Sequence, residues 1–169
     1  ENKFETLAEK LNKILKNKGI QAPSISAVAG PCLAAGLANR INSSVVLANE
    51  NLDIVKKIGS IISTNYYSIE YSNDLIGAEV CAATKNIYSM LIGASEGLSS
   101  SSLDNEKKNK YYLNTAASLT YKAVAEMKNL TKKLNGKEMS AYGLAGLGDL
   151  YVSSAGGRNS KMGYYLGQG

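Results

Sequence analysis

Apolar residues at Phe4, Leu7, Leu11 and Leu15 fall on one face of a 3.6-residue repeat, which predicts a helix over 4–15. Asn17-Lys18-Gly19 ends it, and Pro23 marks the break. The pattern then shortens. Residues 25–29 form an apolar run that enters Gly30-Pro31, a strand signal followed by a short helix over 33–38. Val45-Val46-Leu47 centres a second strand over 44–48, and a third lies over 66–71. Between them, 51–62 has helical spacing, with Asn51 or Asp53 as its cap. Strands alternating with helices predict a sheet with crossover connections.

Beyond Asn73-Asp74 strand signals vanish. A long apolar helix with many small residues is predicted from Asp74 to about Ser95. The serines 99–102 and the charged stretch 104–110 read as a solvated connection. Asn114 is expected to cap a helix of about twenty residues that stops at Asn135-Gly136. The remainder, 140–169, is glycine-rich with two further helical stretches. The boundary falls near residue 73, between a partial α/β lobe (1–72) and a helical lobe (73–169). No repeat of a solenoid period is present.

Composition narrows the class. The chain has 169 residues, of which 44% are hydrophobic and 20% charged, the balance of a soluble globular protein. No apolar run is long enough for a bilayer. The first residues, Glu1 to Glu5, carry neither Met nor a signal pattern and read as a cut end. A net charge of +5 admits an anionic partner. The lysines are dispersed, however, and the eleven tyrosines do not interleave with a basic stripe, so a small anion fits and nucleic acid does not. Cys32 and Cys81 lack metal-ligand spacing; free thiols in a reducing, cytoplasmic compartment and no metal are expected. With no histidine, any general base must be Lys, Asp, Glu, Tyr or Cys.

Three stretches could carry chemistry. From Val80 to Ser95 the one charged side chain is Lys85. Burying an unpaired ammonium is costly, and desolvation lowers a lysine's pKa toward the range useful for proton transfer. The plainer alternative is a lysine that snorkels to solvent or pairs with Glu79 or Asp74. The second stretch runs Gly143-Leu144-Ala145-Gly146-Leu147-Gly148-Asp149, then Gly156-Gly157-Arg158-Asn159. It is no dinucleotide fingerprint, because no strand precedes it and its spacing differs. An arginine fork beside exposed backbone N–H groups suits a phosphate, although a polar turn would use the same residues, and Asp149 could simply cap a helix. The third, Ala29-Gly30-Pro31-Cys32, leaves a strand at its carboxyl end, where open α/β sheets bind ligands; an ordinary turn would look alike.

Taken in order, Ala29-Gly30-Pro31, Asn73 to Glu79, Ala83-Thr84-Lys85-Asn86-Ile87, Asn114-Thr115-Ala116-Ala117, Gly146 to Leu150 and Gly157-Arg158-Asn159 resemble NAD(P)-dependent glycerol-3-phosphate dehydrogenases along nearly the whole chain. The resemblance implies a mostly α fold: the trailing part of a Rossmann-type α/β domain, then an all-helical domain of the 6-phosphogluconate-dehydrogenase C-terminal class. It implies NAD or NADP as cofactor and reversible hydride transfer between the nicotinamide and C2 of glycerol 3-phosphate, with dihydroxyacetone phosphate as the ketone. Lys85 matches the family's catalytic acid/base, and Asp149 the aspartate that orients it. Asn86 matches a substrate contact beside the lysine. Arg158 and Asn159 match the phosphate-binding pair, with Arg158 also near the cofactor. Gly30 and Cys32 match a Gly-Pro-Ser turn beside substrate, and Ala34 a cofactor contact. Cys32 replaces that serine with a poor hydrogen bonder, Gly157 stands where many members have Ser, and Ser153 where some have Thr. The resemblance also implies a glycine-rich strand–turn–helix and a lysine upstream of Glu1, further helices after Gly169, and a homodimer. Alternatives are a related two-domain dehydrogenase on another hydroxyl substrate, or a non-catalytic substrate-binding or dimerisation module.

Overall fold

The computed structural model describes residues 4–102 and 112–169. In chain order these form α1 (Leu7–Asn17), β1 (Ala27–Ala29), α2 (Ala34–Ala38), β2 (Ser43–Ala48), α3 (Leu52–Ile62) and β3 (Tyr67–Ser72). Then follow α4 (Leu75–Ser102), α5 (Tyr112–Lys133), a 3₁₀ turn (Glu138–Ala141), a π-helical turn (Leu144–Gly148), α6 (Asp149–Ser154) and α7 (Arg158–Gln168). The fold is mostly helical, with one small sheet. No described helix is long and apolar enough to cross a membrane.

Local chemistry sets the ends of the helices. Thr6 and Glu9 form a capping box on α1: the Thr6 hydroxyl accepts from the Glu9 N–H at 3.2 Å and the Glu9 carboxylate from the Thr6 N–H at 2.8 Å. Gly19, at φ 84°, takes the left-handed turn that lets the chain leave the helix. The predicted apolar face of α1 is not core, since Phe4, Leu7 and Leu11 are exposed, Leu15 is only partly covered and Ala8 is the buried residue. Of the two candidate caps of α3, Asn51 does the work, accepting from the Asp53 N–H at 2.9 Å.

The three strands lie in the order β1-β2-β3. β2 and β3 are parallel, joined by α3 as the alternation predicts, from Ser43 opposite Tyr67 to Ala48 opposite Ser72. β1 departs from the expected crossover: it runs antiparallel to β2, with Ala27 opposite Ala48. Its connection holds only the five-residue α2, and Arg40 at φ 57° turns the chain back. A parallel crossover needs a longer element packed on the sheet. Val45–Ala48 of β2 are all buried, as expected of a strand covered on both faces. Val46 and Ala48 continue into the same core as Cys81 of α4, Met127 of α5 and Leu150 of α6, so apolar packing runs across residue 73.

Two expectations in the helical part are corrected. Ser99–Ser102 belong to α4 rather than to a solvated connection, because Ser100 and Ser101 satisfy their hydroxyls on the Gly97 carbonyl at 2.8 and 3.0 Å. Asn114 lies inside α5, not at its cap; the helix already includes Tyr112, which packs against the core. The charged stretch 104–110 lies outside the described residues. The other end of α5 is as expected, with Asn135 at φ 67° in the left-handed turn that precedes Gly136.

The closest helix contact is between α4 and α7. A Cβ built on Gly93 would lie 2.0 Å from the Ser160 carbonyl oxygen, and one on Gly97 2.0 Å from that of Tyr164. From the other side, Gly163 would meet the Met90 carbonyl at 1.9 Å and Gly167 that of Ala94 at 2.2 Å. The pairs advance together along both helices, which therefore run parallel, backbone against backbone. Any side chain larger than hydrogen would wedge them apart.

Candidate functional site

α4 carries Lys85 on the side that faces the start of α6. There the ammonium pairs with Oδ2 of Asp149, the first residue of α6, with side-chain exposures of 19% and 8%. Neither alternative for Lys85 is realised. Glu79 turns to α1, its Oε1 accepting the Ala8 N–H at 2.9 Å, and Asp74 turns to the segment after α5. Pairing answers the cost of burying the ammonium, and Asp149 accepts one of its three protons, leaving two directions for other acceptors. Ser153, one turn after Asp149, reaches Oδ1 of the same carboxylate at 3.5 Å.

The next residue of α4, Asn86, meets α7. Its Oδ1 accepts from Nδ2 of Asn159 at 2.9 Å. Arg158 and Asn159 open α7, whose cap residue Gly157 offers no side-chain acceptor. No acidic residue stands in the first turn, while Arg158 and Lys161 lie there. A helix amino end already carries partial positive charge, so two cations and uncapped N–H groups make this corner favourable to an anion. Arg158 is exposed and, among the described residues, takes part in no ion pair. Gly156, at φ 137°, makes the turn into the corner and has open space on its outer side. Gly157 is tight: a Cβ there would lie 2.5 Å from the Ser153 carbonyl oxygen, so a serine would require the backbone to shift.

The turn after β1 abuts the same region. A Cβ on Gly148 would lie 3.5 Å from the Pro31 ring, which places the Gly30–Cys32 turn against the residue before Asp149. Gly30, at φ 140°, packs on β2, 3.1 Å from Val45 Cα by the same measure. Cys32 is half-buried and its N–H donates to the Gly30 carbonyl at 2.8 Å. Ala34 is exposed at the start of α2. Lys85, Asp149 and Ser153 thus form one cluster, Asn86 and Asn159 a contact beside it, and Gly30–Cys32 a wall.

The sequence reading passed over two neighbours. Tyr67, at the start of β3, has its hydroxyl pKa pushed up by burial and then by the Cys32 thiol. The Ser140 hydroxyl donates a hydrogen bond to the buried carboxylate of Asp74. In the sequence Asp74 reads as a helix start or a partner for Lys85, not as a partner of Ser140, and nothing singles out Ser140 or Tyr67.

Residues 74–169 match the family model described as the C-terminus of NAD-dependent glycerol-3-phosphate dehydrogenase. The NADP(+)-dependent glycerol-3-phosphate dehydrogenase of Archaeoglobus fulgidus is 34% identical over 85% of this chain and 41% of its own length. The glycerol-3-phosphate dehydrogenase [NAD(P)+] of Limosilactobacillus reuteri is 33% identical over 100% of this chain and 47% of its own. The chain therefore spans less than half the length of these relatives. Among solved structures, the Coxiella burnetii glycerol-3-phosphate dehydrogenase superposes with a TM-score of 0.75 at 30% identity, covering 86% of this chain and 42% of that one. The Dunaliella salina structure gives 0.79 at 25% identity, covering 97% and 26%. With more than half of its residues matched by that model and a superposition that takes in the sheet as well, the chain belongs to the NAD-dependent glycerol-3-phosphate dehydrogenase family.

Proposed function

We propose that the chain supplies the acid/base and the phosphate grip for interconverting sn-glycerol 3-phosphate and dihydroxyacetone phosphate with NAD or NADP. The observation that carries the reading is the largely buried Lys85–Asp149 pair one residue away from the Asn86–Asn159 contact. On this reading residues 1–72 are the trailing part of a dinucleotide-binding α/β domain, and 73–169 a helical domain for substrate and catalysis. A bound NAD or NADP would supply the hydride-transfer chemistry at C2 of the substrate, in either direction.

In reduction Lys85 donates a proton from Nζ to the ketone oxygen; in oxidation the neutral amine removes the hydroxyl proton. Asp149 holds Nζ in place, while Ser153 restrains the carboxylate. The uncapped start of α7 and the Arg158 fork hold the phosphate, with Asn159 and Asn86 beside it as neutral hydrogen bonders. Gly30 and Cys32 bound the substrate from the sheet side. The Cys32 thiol hydrogen-bonds poorly, so their backbone provides that contact. Toward the cofactor, exposed Ala34 and Arg158 suit the nicotinamide end. No glycine-rich strand–turn–helix for the pyrophosphate occurs among the described residues. A cytoplasmic homodimer is the assembly that accords with this reading.

A second reading is a substrate-binding or dimerisation module without turnover, which the anion-favouring start of α7 would also serve. Titrating the chain with NADH and NADPH, with dihydroxyacetone phosphate present, separates the two. The chain alone is expected to show no appreciable turnover. Joined to the dinucleotide-binding half found in the relatives, it is expected to oxidise NADH or NADPH. If that joined protein bound cofactor and triose phosphate but turned neither over, the module reading would stand instead.

A further inference from the structure

Asp74 is buried, and each of its oxygens is committed. Oδ1 accepts the Gly77 N–H at 3.0 Å and so caps α4 itself. Oδ2 accepts both the Lys137 N–H, at 2.9 Å, and the Ser140 hydroxyl. The fit is close on every side: a Cβ on Gly77 would lie 1.9 Å from Oδ2, and one on Gly136 2.9 Å from the Gly77 nitrogen. The segment after α5 is therefore fastened to the first turn of α4 by one carboxylate oxygen.

From Ser140 the chain runs without slack to Asp149. The Gly143 N–H bonds the Ser140 carbonyl at 3.3 Å, and the Gly148 N–H closes the π-turn on the Gly143 carbonyl at 3.2 Å. Gly146 lies flat on Ala141, where an added Cβ would meet the carbonyl oxygen at 2.2 Å. Asp149 comes next and returns to α4 through Lys85. Asp74 and Lys85 are eleven residues apart, about three helical turns, and so lie on nearly the same face of α4. The segment from Lys137 to Asp149 is a bracket pinned to one face of α4 at both ends.

We infer that Asp74 is a positioning residue: by holding Lys137 and Ser140 it fixes the π-turn, and through it the placement of Asp149 opposite Lys85. Asp74 touches neither member of the pair and acts only through the bracket. The inference rests on the proposed role of Lys85 for its meaning, but its test needs neither cofactor nor turnover. Reductive methylation requires reagent to reach the amine, and the contact with Asp149 in a largely covered setting restricts that access. The measurement is the rate at which formaldehyde and cyanoborohydride methylate Lys85 in the folded chain, relative to exposed Lys161, mapped by peptide mass.

Asp74→Asn keeps the shape and the cap of α4 but cannot accept the Ser140 hydroxyl and the Lys137 N–H with the same charged oxygen. It should speed Lys85 labelling severalfold relative to Lys161, and Ser140→Ala should do so by less. Cys81→Ala, which leaves a buried void in α4 between the two pins, should lower thermal stability and leave the ratio as in wild type. If Asp74→Asn does not fold, Ser140→Ala carries the test. An unchanged ratio in the folded bracket variants, or an equal rise in Cys81→Ala, would overturn the inference and reduce Asp74 to a structural cap. Failure of turnover in the joined protein with this labelling pattern intact would count against the catalytic reading and not against the bracket.

Discussion

Lys85 and Arg158 are both cations beside an asparagine on parallel helices, yet their settings are opposite. Lys85 is four-fifths covered and paired, with a carboxylate held by a rigid turn. Arg158 is exposed at an uncapped helix start, with Lys161 as a further cation in the same turn. The first arrangement is complete without a ligand, as a proton donor aligned in advance should be. The second is electrostatically unfavourable until an anion arrives, because the helix dipole and two cations add. The difference separates a group that must be ready before substrate binds from one whose charge is the binding force. Predictions that strike one side and spare the other test the distinction.

The largest effect is expected at the paired site. In the protein joined to a dinucleotide-binding half, Lys85→Ala should lower turnover of dihydroxyacetone phosphate by roughly a hundredfold or more, the scale of acid–base catalysis, with little change in Michaelis constant. Near-normal steady-state turnover would remove Lys85 from the mechanism. Arg158→Lys should act the other way. It keeps the charge and loses the planar fork, so the Michaelis constant should rise by roughly ten- to a hundredfold, equivalent to about 1.5–3 kcal/mol. Dihydroxyacetone, lacking the phosphate, should be nearly indifferent. Equal losses on both ketones would assign Arg158 to cofactor or fold.

The two sites share one frame, the α4–α7 crossing, and a third prediction addresses it. Gly163→Ala places a methyl where the Met90 carbonyl lies 1.9 Å away and should cost about 1–3 kcal/mol in a denaturant titration, against a helix-propensity gain of about 1 kcal/mol. Gly36→Ala, whose added methyl would meet nothing closer than 3.9 Å, should lose no stability. Equal behaviour of the two would mean that the crossing tolerates separation. The smallest effect concerns pH. Burial, with Glu126 alongside, pushes the Tyr88 hydroxyl up from its usual 10.0 to about 12. The folded chain then holds this proton where the unfolded chain has lost it. The contribution is full below pH 10 and disappears between pH 10 and about 12. Tyr88→Phe should make the alkaline fall in melting temperature shallower; an identical slope would show that Tyr88 does not contribute.

Much of this was legible because the deciding interactions are local. The Asn51 cap, the Gly19 and Asn135 turns and the helix around Lys85 follow from neighbouring residues. The direction of β1 was not legible, since it depends on how the chain turns at Arg40 and not on its own three residues. The α1 stripe shows the opposite limit: its spacing gives the helix correctly but does not say that Phe4, Leu7 and Leu11 are left exposed. At the site, Lys85 stood out by its isolation among uncharged neighbours, and the family resemblance supplied the role of Asp149. Asp74 and Ser140 act across 66 positions of sequence, and only the folded chain brings them together.

The most direct test of the central claim uses the chain alone. Dihydroxyacetone phosphate and dihydroxyacetone would each be titrated into isotope-labelled protein, following the amide signals of residues 156–160 and the Nζ signal of Lys85 by NMR. The account predicts that the phosphorylated ketone shifts the amides at the start of α7 and the Lys85 signal together, that dihydroxyacetone leaves the α7 amides unmoved, and that Arg158→Lys weakens the phosphate-dependent response. Shifts from the phosphorylated ketone that mapped elsewhere, or that reached α7 without reaching Lys85, would contradict a site built from these two regions.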